Sequence, residues 1–197
     1  MRIDHLVVTC ADLGAGADWV AGRLGVVPGP GGRHDLMGTH NRLLSLGPDC
    51  YLEVIAPDPG APPPGRPRWF GLDRAGAPAL THWAARVDDL DAALAAAPEG
   101  AGEATDLARG DLCWRMGVTA APPMDGAFPM LLQWLGASAQ DRLPESGCRL
   151  LSLTLRHPEP DRLRAALPLD DARLRIEAGE AGVAAELGTP SGPRALG

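Results

Sequence analysis

Ile3-Asp4-His5-Leu6-Val7-Val8-Thr9-Cys10-Ala11-Asp12-Leu13 recurs in outline as Leu80-Thr81-His82-Trp83-Ala84-Ala85-Arg86-Val87-Asp88-Asp89-Leu90. In both copies a histidine opens an apolar, strand-like run, and an Asp-Leu able to start a helix follows seven residues later. A repeated strand–helix unit carrying a repeated histidine predicts two pseudo-symmetric halves that face one another. Two imidazoles brought to one centre by that symmetry are the beginning of a metal site.

Around the first copy, residues 2–10 read as a strand and 11–24 as a helix capped by Asp12 and stopped by Gly25. Residues 26–38 are rich in Gly and Pro and read as loop with a short irregular strand, followed by strands at 41–46 and 51–56. Six prolines between positions 57 and 68 predict a stiff extended linker. The second half repeats the order, with a strand at 80–87, a helix at 88–97 and strands at 103–109, 112–119 and 128–135. A weaker third echo follows: strand 150–156, helix 159–167, and strands 173–177 and 182–187, with Thr154 near where a histidine would stand.

The expected fold class is therefore α+β, with paired βαβββ modules forming a curved, cup-like, mainly antiparallel sheet and helices outside. The expected divisions are 1–56 for the first module, 57–78 for the Pro-rich linker and 79–136 for the second module. A C-terminal partial βαββ repeat at 149–197 would pack on the second module, extending or covering its sheet.

Composition narrows the partners. The 197 residues carry a formal net charge of −7, and all 18 basic residues are Arg, which excludes Schiff-base lysine chemistry. An acidic chain without a basic stripe speaks against nucleic acid or an anionic membrane as partner, and no apolar run reaches the length of a membrane span. Cys10, Cys50, Cys113 and Cys148 form no CxxC pair. With a first strand that starts at once and no signal-peptide organisation, they point to a cytoplasmic protein, monomer or homodimer, with a small-molecule partner. No P-loop and no Gly-x-Ser-x-Gly elbow is present.

Strand alternation selects the candidate chemistry. His5 is expected to share a face with Ile3 and Val7, and Glu53 with Tyr51 and Ile55. A carboxylate in the middle of Tyr-Leu-Glu-Val-Ile-Ala is costly to bury without a proton, a partner or a metal. Gln133 stands in the corresponding apolar strand of the second half, so each half offers one early and one late ligand-capable residue: His5 with Glu53, His82 with Gln133. His40 and Asn41 enter a strand and can reach a substrate. His34 and His157 read as exposed and unemployed. Alternation sends Trp83 and Trp134 to the face opposite His82 and Gln133, and Trp69-Phe70 forms a pocket lip or core.

The stretches Ile3-Asp4-His5-Leu6-Val7-Val8, Gly38-Thr39-His40-Asn41-Arg42, Tyr51-Leu52-Glu53-Val54-Ile55-Ala56 and Leu132-Gln133-Trp134 resemble the glyoxalase-like domain proteins of the vicinal-oxygen-chelate superfamily. The resemblance covers residues 1–135 and implies modules curled into an open cup with a metal on the inner face. It implies His5, Glu53 and His82 as ligands of a divalent ion (Zn, Fe, Mn, Co or Ni), Glu53 also as catalytic base, and Gln133, His40 and Asn41 as substrate-binding groups or a weak fourth ligand. Gln133 falls where glyoxalase I has a second Glu, a departure from that enzyme's pattern. The function so implied is a metal-dependent lyase, isomerase or dioxygenase acting on a small oxygenated molecule. The alternative is a metal-free protein of the same fold that binds or sequesters a small molecule, and a third reading is an inert member whose polar strand residues only pair with each other.

Overall fold

The computed structural model describes all 197 residues. The first module contains β1 (Arg2–Thr9), α1 (Leu13–Leu24), β2 (Gly29–His34), β3 (Thr39–Ser45) and β4 (Tyr51–Pro57). The second contains β5 (Ala79–Arg86), α2 (Leu90–Ala96), β6 (Glu103–Arg109), β7 (Leu112–Val118) and β8 (Met130–Trp134). Their eight strands form one mixed, mainly antiparallel sheet in the order β2-β3-β4-β1-β5-β8-β7-β6, curled into a half-barrel. β1 and β5 lie antiparallel at its centre, so the repeated histidines sit on the seam between the halves. The repeated Asp-Leu also holds: Asp12 accepts from Ala15 N at 2.7 Å and Asp89 from Ala92 N at 3.0 Å, each capping its helix.

The third repeat differs from its expected form. Residues 149–197 carry a full βαβββ order, β9 (Arg149–His157), α3 (Pro160–Ala166), β10 (Leu174–Ala178), β11 (Gly182–Thr189) and β12 (Gly192–Leu196). They build a separate four-stranded sheet, β10-β9-β11-β12, that covers the first rather than extending it, the second of the two expected arrangements. Its apolar face (Leu153, Leu155, Val183, Leu187) packs with α1 and α2 on the outer face of the large sheet, against Leu6, Val8, Leu52, Val54, Trp83 and Leu131. Burial of that face is the main source of stability here, since the helices are too short to stand alone.

The inner face holds a smaller apolar cluster that includes Val7, Leu43, Ile55, Ala84, Trp114, Met116, Met130 and Leu132. The Pro-rich segment does not stay extended to its end. It closes in a helical turn, Trp69–Arg74, that drops Trp69, Phe70 and Leu72 into the cup. Phe70 takes a left-handed φ of 54°, an uncommon conformation for an aromatic residue, so packing holds it there. No helix is long and apolar enough to cross a membrane.

One contact sets the seat of α1. A Cβ on Gly16 would lie 2.8 Å from Val54 Cγ1 and would overlap Cys10 Sγ, both fully buried groups of the outer core. Gly16→Ala therefore sets a gain in helix propensity of about 1 kcal/mol against overpacking of about 1–3 kcal/mol. We expect overpacking to win, giving a lower urea midpoint at unchanged slope; a raised midpoint would show that α1 shifts freely.

Candidate active site

Alternation alone would put His5 and Ile3 on one face, but β1 carries an irregularity between Ile3 and His5, and Asp4 is the extra residue. Ile3 goes to the outer core, whereas Asp4 and His5 turn inward with Val7. The buried Asp4 carboxylate is then satisfied on both oxygens. Oδ1 accepts from His5 Nδ1 at 2.7 Å; Oδ2 accepts from Trp134 Nε1 at 3.0 Å and lies 3.5 Å from Arg86 Nε. His5 stacks on Tyr51 with ring centroids 4.6 Å apart, and its Nε2 faces Glu53 Oε2 at 3.5 Å.

Glu53 is 6% exposed, as the reading of its strand anticipates. Its Oε1 accepts from Asn41 Nδ2 at 2.5 Å. Asn41 is completed by Gly32 N and Arg109 Nη1, which donate to its Oδ1 at 2.8 and 3.1 Å and thereby fix the orientation of the amide. His34 joins the same network. Its Nδ1 donates to Thr39 Oγ1 at 3.0 Å, and Nε2 accepts from Arg109 Nη1 at 3.4 Å and from Asn41 Nδ2 at 3.5 Å. A guanidinium only donates, so His34 is the neutral Nδ1–H tautomer. Burial, the largest cause, lowers its pKa from 6.5 to about 4; Glu53 opposes the shift and Arg109 and His5 add to it. Burial, followed by the charges of Asp4 and Glu53, also raises the Tyr51 phenol well above its ordinary value.

These groups line one cavity on the inner face, walled by Trp69, Phe70, Trp114 and Trp134 and enclosing about 40 Å³ of free space. Its polar wall comes from the first half and its aromatic wall from the second half and the Trp69–Arg74 turn. Arg109 reaches in from the end of β6, at the far edge of the sheet, and crosses Gly32 of β2. A Cβ on Gly32 would meet Arg109 Cδ at 2.5 Å, so glycine there opens the route.

The structure brings His5, Glu53 and Asn41 together and leaves His82, Gln133 and His40 elsewhere. His82 pairs with Thr81 Oγ1 at 2.8 Å and packs on Phe70 at 5.4 Å, outside the cavity lining. Gln133 sits on the outer face, where its amide donates to Asp88 O and accepts from Leu90 N at the start of α2. Met130 and Leu132 face the inner cluster, so alternation along β8 puts Gln133 on the opposite face. Trp134 takes the inward position, contrary to its expected place. His40 precedes the inward Asn41 and points away. His34 and His157, expected to be exposed, are both buried; His157 Nδ1 accepts from Glu159 N at 3.0 Å and helps start α3.

As a donor set for a divalent ion the cluster is a poor fit. No three His, Cys, Asp or Glu side chains converge on one point. Two further acceptors of the cluster, Asn41 Oδ1 and His34 Nε2, are already engaged by the Arg109 guanidinium, a fixed positive charge where a metal would need electron pairs.

Residues 3–170 match the glyoxalase-like domain family. No curated protein matches the chain. Among solved structures, a hypothetical protein from Staphylococcus aureus shares the fold at 13% identity, with a TM-score of 0.63 over 92% of this chain and 87% of the other. Methylmalonyl-CoA epimerase from Mycobacterium tuberculosis is 21% identical over 72% of this chain and 91% of its own, with a TM-score of 0.44. A Streptomyces coelicolor methylmalonyl-CoA epimerase variant in complex with 2-nitronate-propionyl-CoA is 19% identical over 70% and 99%, with a TM-score of 0.47.

Asp4, His34 and Arg109 were not singled out by the sequence as site residues, and one of them makes a pH prediction. Because the folded pKa of His34 is depressed to about 4, the unfolded chain binds a proton that the native chain refuses between there and 6.5. Stability should rise with pH through that window and be fully present above it, by about 3 kcal/mol for a shift of this size. His82, lowered to about 4 by burial, acts in the same direction. The melting temperature should drop as pH falls through the window, and His34→Gln should flatten the curve. A wild-type melting temperature indifferent to pH there would contradict the buried neutral imidazole.

Proposed function

The chain belongs to the glyoxalase-like domain family, and from that premise we propose an enzyme that transfers a proton at a carbon beside a carbonyl group of a small oxygenated molecule, with Glu53 as the base. The observation that carries the reading is the Asp4–His5–Glu53 line, an imidazole held between two buried carboxylates at the cavity wall. His5 Nδ1–H donates to Asp4 Oδ1, which leaves Nε2 as a lone-pair acceptor facing Glu53 Oε2, ready to share a proton that Glu53 takes up. Glu53 takes the proton as the C–H bond breaks, and the electron pair moves into the carbonyl to give an enolate. His5 shares that proton with Glu53, and Asp4 stabilises the imidazolium form and fixes the ring. Arg109, at the rim of the same cavity, contributes a positive field that favours the developing enolate without having to contact its oxygen.

The residues favour operation without a resident metal. A metal-dependent lyase or dioxygenase would need a third strong donor beside His5 and Glu53, and the candidates His82 and Gln133 lie off the cavity. A second reading, a metal-free sequestering protein, is favoured by one feature: Glu53 Oε1 is already engaged by Asn41.

The test is solvent-deuterium incorporation into a panel of small carbonyl compounds, followed by NMR. Glu53→Gln keeps the shape and the Asn41 contact and should slow exchange by about 10²–10⁴-fold. Dialysis against EDTA should leave both the exchange rate and the melting temperature unchanged. Exchange that survives Glu53→Gln removes the base assignment, activity restored only by an added divalent ion removes the metal-free reading, and binding without exchange selects sequestration.

A further inference from the structure

Five of the 18 arginines are at least partly withdrawn from solvent: Arg68, Arg86, Arg109, Arg115 and Arg173. Four of these face a carboxylate, in the pairs Arg68–Asp73, Arg86–Asp4, Arg115–Asp91 and Arg173–Asp171. Arg109 has none. Its Nη1 is spent on two neutral acceptors, His34 Nε2 and Asn41 Oδ1, and its Nε and Nη2 make no hydrogen bond within the protein. A half-buried guanidinium with no carboxylate in contact keeps its planar fork free, and that fork suits a carboxylate.

A second, independent donor lines the same cavity without a partner. Trp69 is 3% exposed, and its indole N–H has no acceptor. Two other indoles show what such a group ordinarily finds: the buried Trp83 Nε1 donates to Ala127 O at 2.9 Å and the half-buried Trp134 Nε1 to Asp4 Oδ2 at 3.0 Å. An orphaned buried N–H calls for an explanation, and an absent ligand oxygen is one.

The charges of the cavity agree. Asp4 is offset by Arg86, His34 is neutral, and the only link from Arg109 to the Glu53 carboxylate runs through the Asn41 amide, so no carboxylate of the protein touches the guanidinium. We propose that the cavity binds a small monocarboxylate, with the fork of Arg109 and the indole N–H of Trp69 as donors to its two oxygens. The proposal deepens the proton-transfer reading and rests on it for the reacting carbon, which the carboxylate would hold near Glu53. The free space of about 40 Å³, against roughly 10–15 Å³ for each water-sized position, restricts the class to monocarboxylates of a few heavy atoms; pyruvate is the smallest 2-oxo acid with a C–H beside its carbonyl group, and glyoxylate, which has none, reports binding alone.

The probes are glyoxylate and pyruvate against the uncharged pyruvamide, titrated into the intact protein and read by tryptophan fluorescence, since three of the walls are indoles. Pyruvate should bind at least about tenfold more tightly than pyruvamide. Arg109→Met should erase that preference, and Trp69→Phe, which keeps a ring and removes the N–H, should weaken pyruvate by about three- to tenfold. If Arg109→Met melts early, Arg109→Lys serves instead: it keeps the charge, loses the fork, and should keep only part of the preference. Glu53→Gln should still bind pyruvate, so loss of exchange with binding intact bears on the base and not on this subsite. Equal affinity for pyruvate and pyruvamide, no binding of either acid at about 10 mM, or a preference that survives both Arg109 variants overturns the proposal.

Discussion

The inner face of the cup depends on one extra residue in its central strand. β1 is hydrogen-bonded on both sides, to β4 in parallel and to β5 in antiparallel register, so its side chains cannot choose their faces freely. The irregularity at Asp4 lets two successive side chains, Asp4 and His5, point inward, and a buried carboxylate arrives with the imidazole it orients. Without that residue in excess His5 would stand alone. With it, a second carboxylate, Glu53 on the neighbouring strand, becomes tolerable, because the imidazole between them can hold a proton for both.

From that point the polar network runs outward through the first half to the edge of the sheet: Glu53 to Asn41, and Asn41 to His34, Gly32 and Arg109. Arg109 belongs to the opposite edge strand, so the network ties β6 to β2 and β3 across the mouth of the half-barrel. The Gly31–Gly32 pair makes this closure sterically feasible. β2 shifts register between Pro30 and Arg33, a Cβ on Gly31 would strike Asn41, and one on Gly32 would strike Arg109. A stretch that looks like featureless loop by composition is therefore a bulged edge strand whose missing side chains admit two functional ones.

The parts of this architecture set by local chemistry are the parts legible in the sequence. The repeated Asp-Leu caps, the alternation in Tyr51–Pro57 and the cost of burying Glu53 depend on neighbours within a few positions. Gln133 was misread because strand phase, unlike strand existence, changes with a single residue. β12 escaped notice because Gly192-Pro193-Arg194-Ala195-Leu196 has neither length nor alternation; it forms only because β11 offers an open edge. Arg109 and His34 lie 75 positions apart and meet through sheet curvature, which no short pattern encodes.

The two halves share one element order and furnish the cavity differently. In the first, the inward positions keep Asp4, His5, Asn41 and Glu53. In the second, the matching strands present Ala84, Trp114, Met116, Leu132 and Trp134, and the repeated histidine is withdrawn onto Phe70. A symmetric cup with a histidine and a carboxylate from each half would hold a cation at its centre. This cup keeps the His5–Glu53 pair on one wall and gives the opposite wall to aromatic packing. The second half's one charged contribution to the cavity is a guanidinium of the opposite sign to a metal ligand. The positive charge of this cup therefore stands at its rim, beside the wall that carries Glu53.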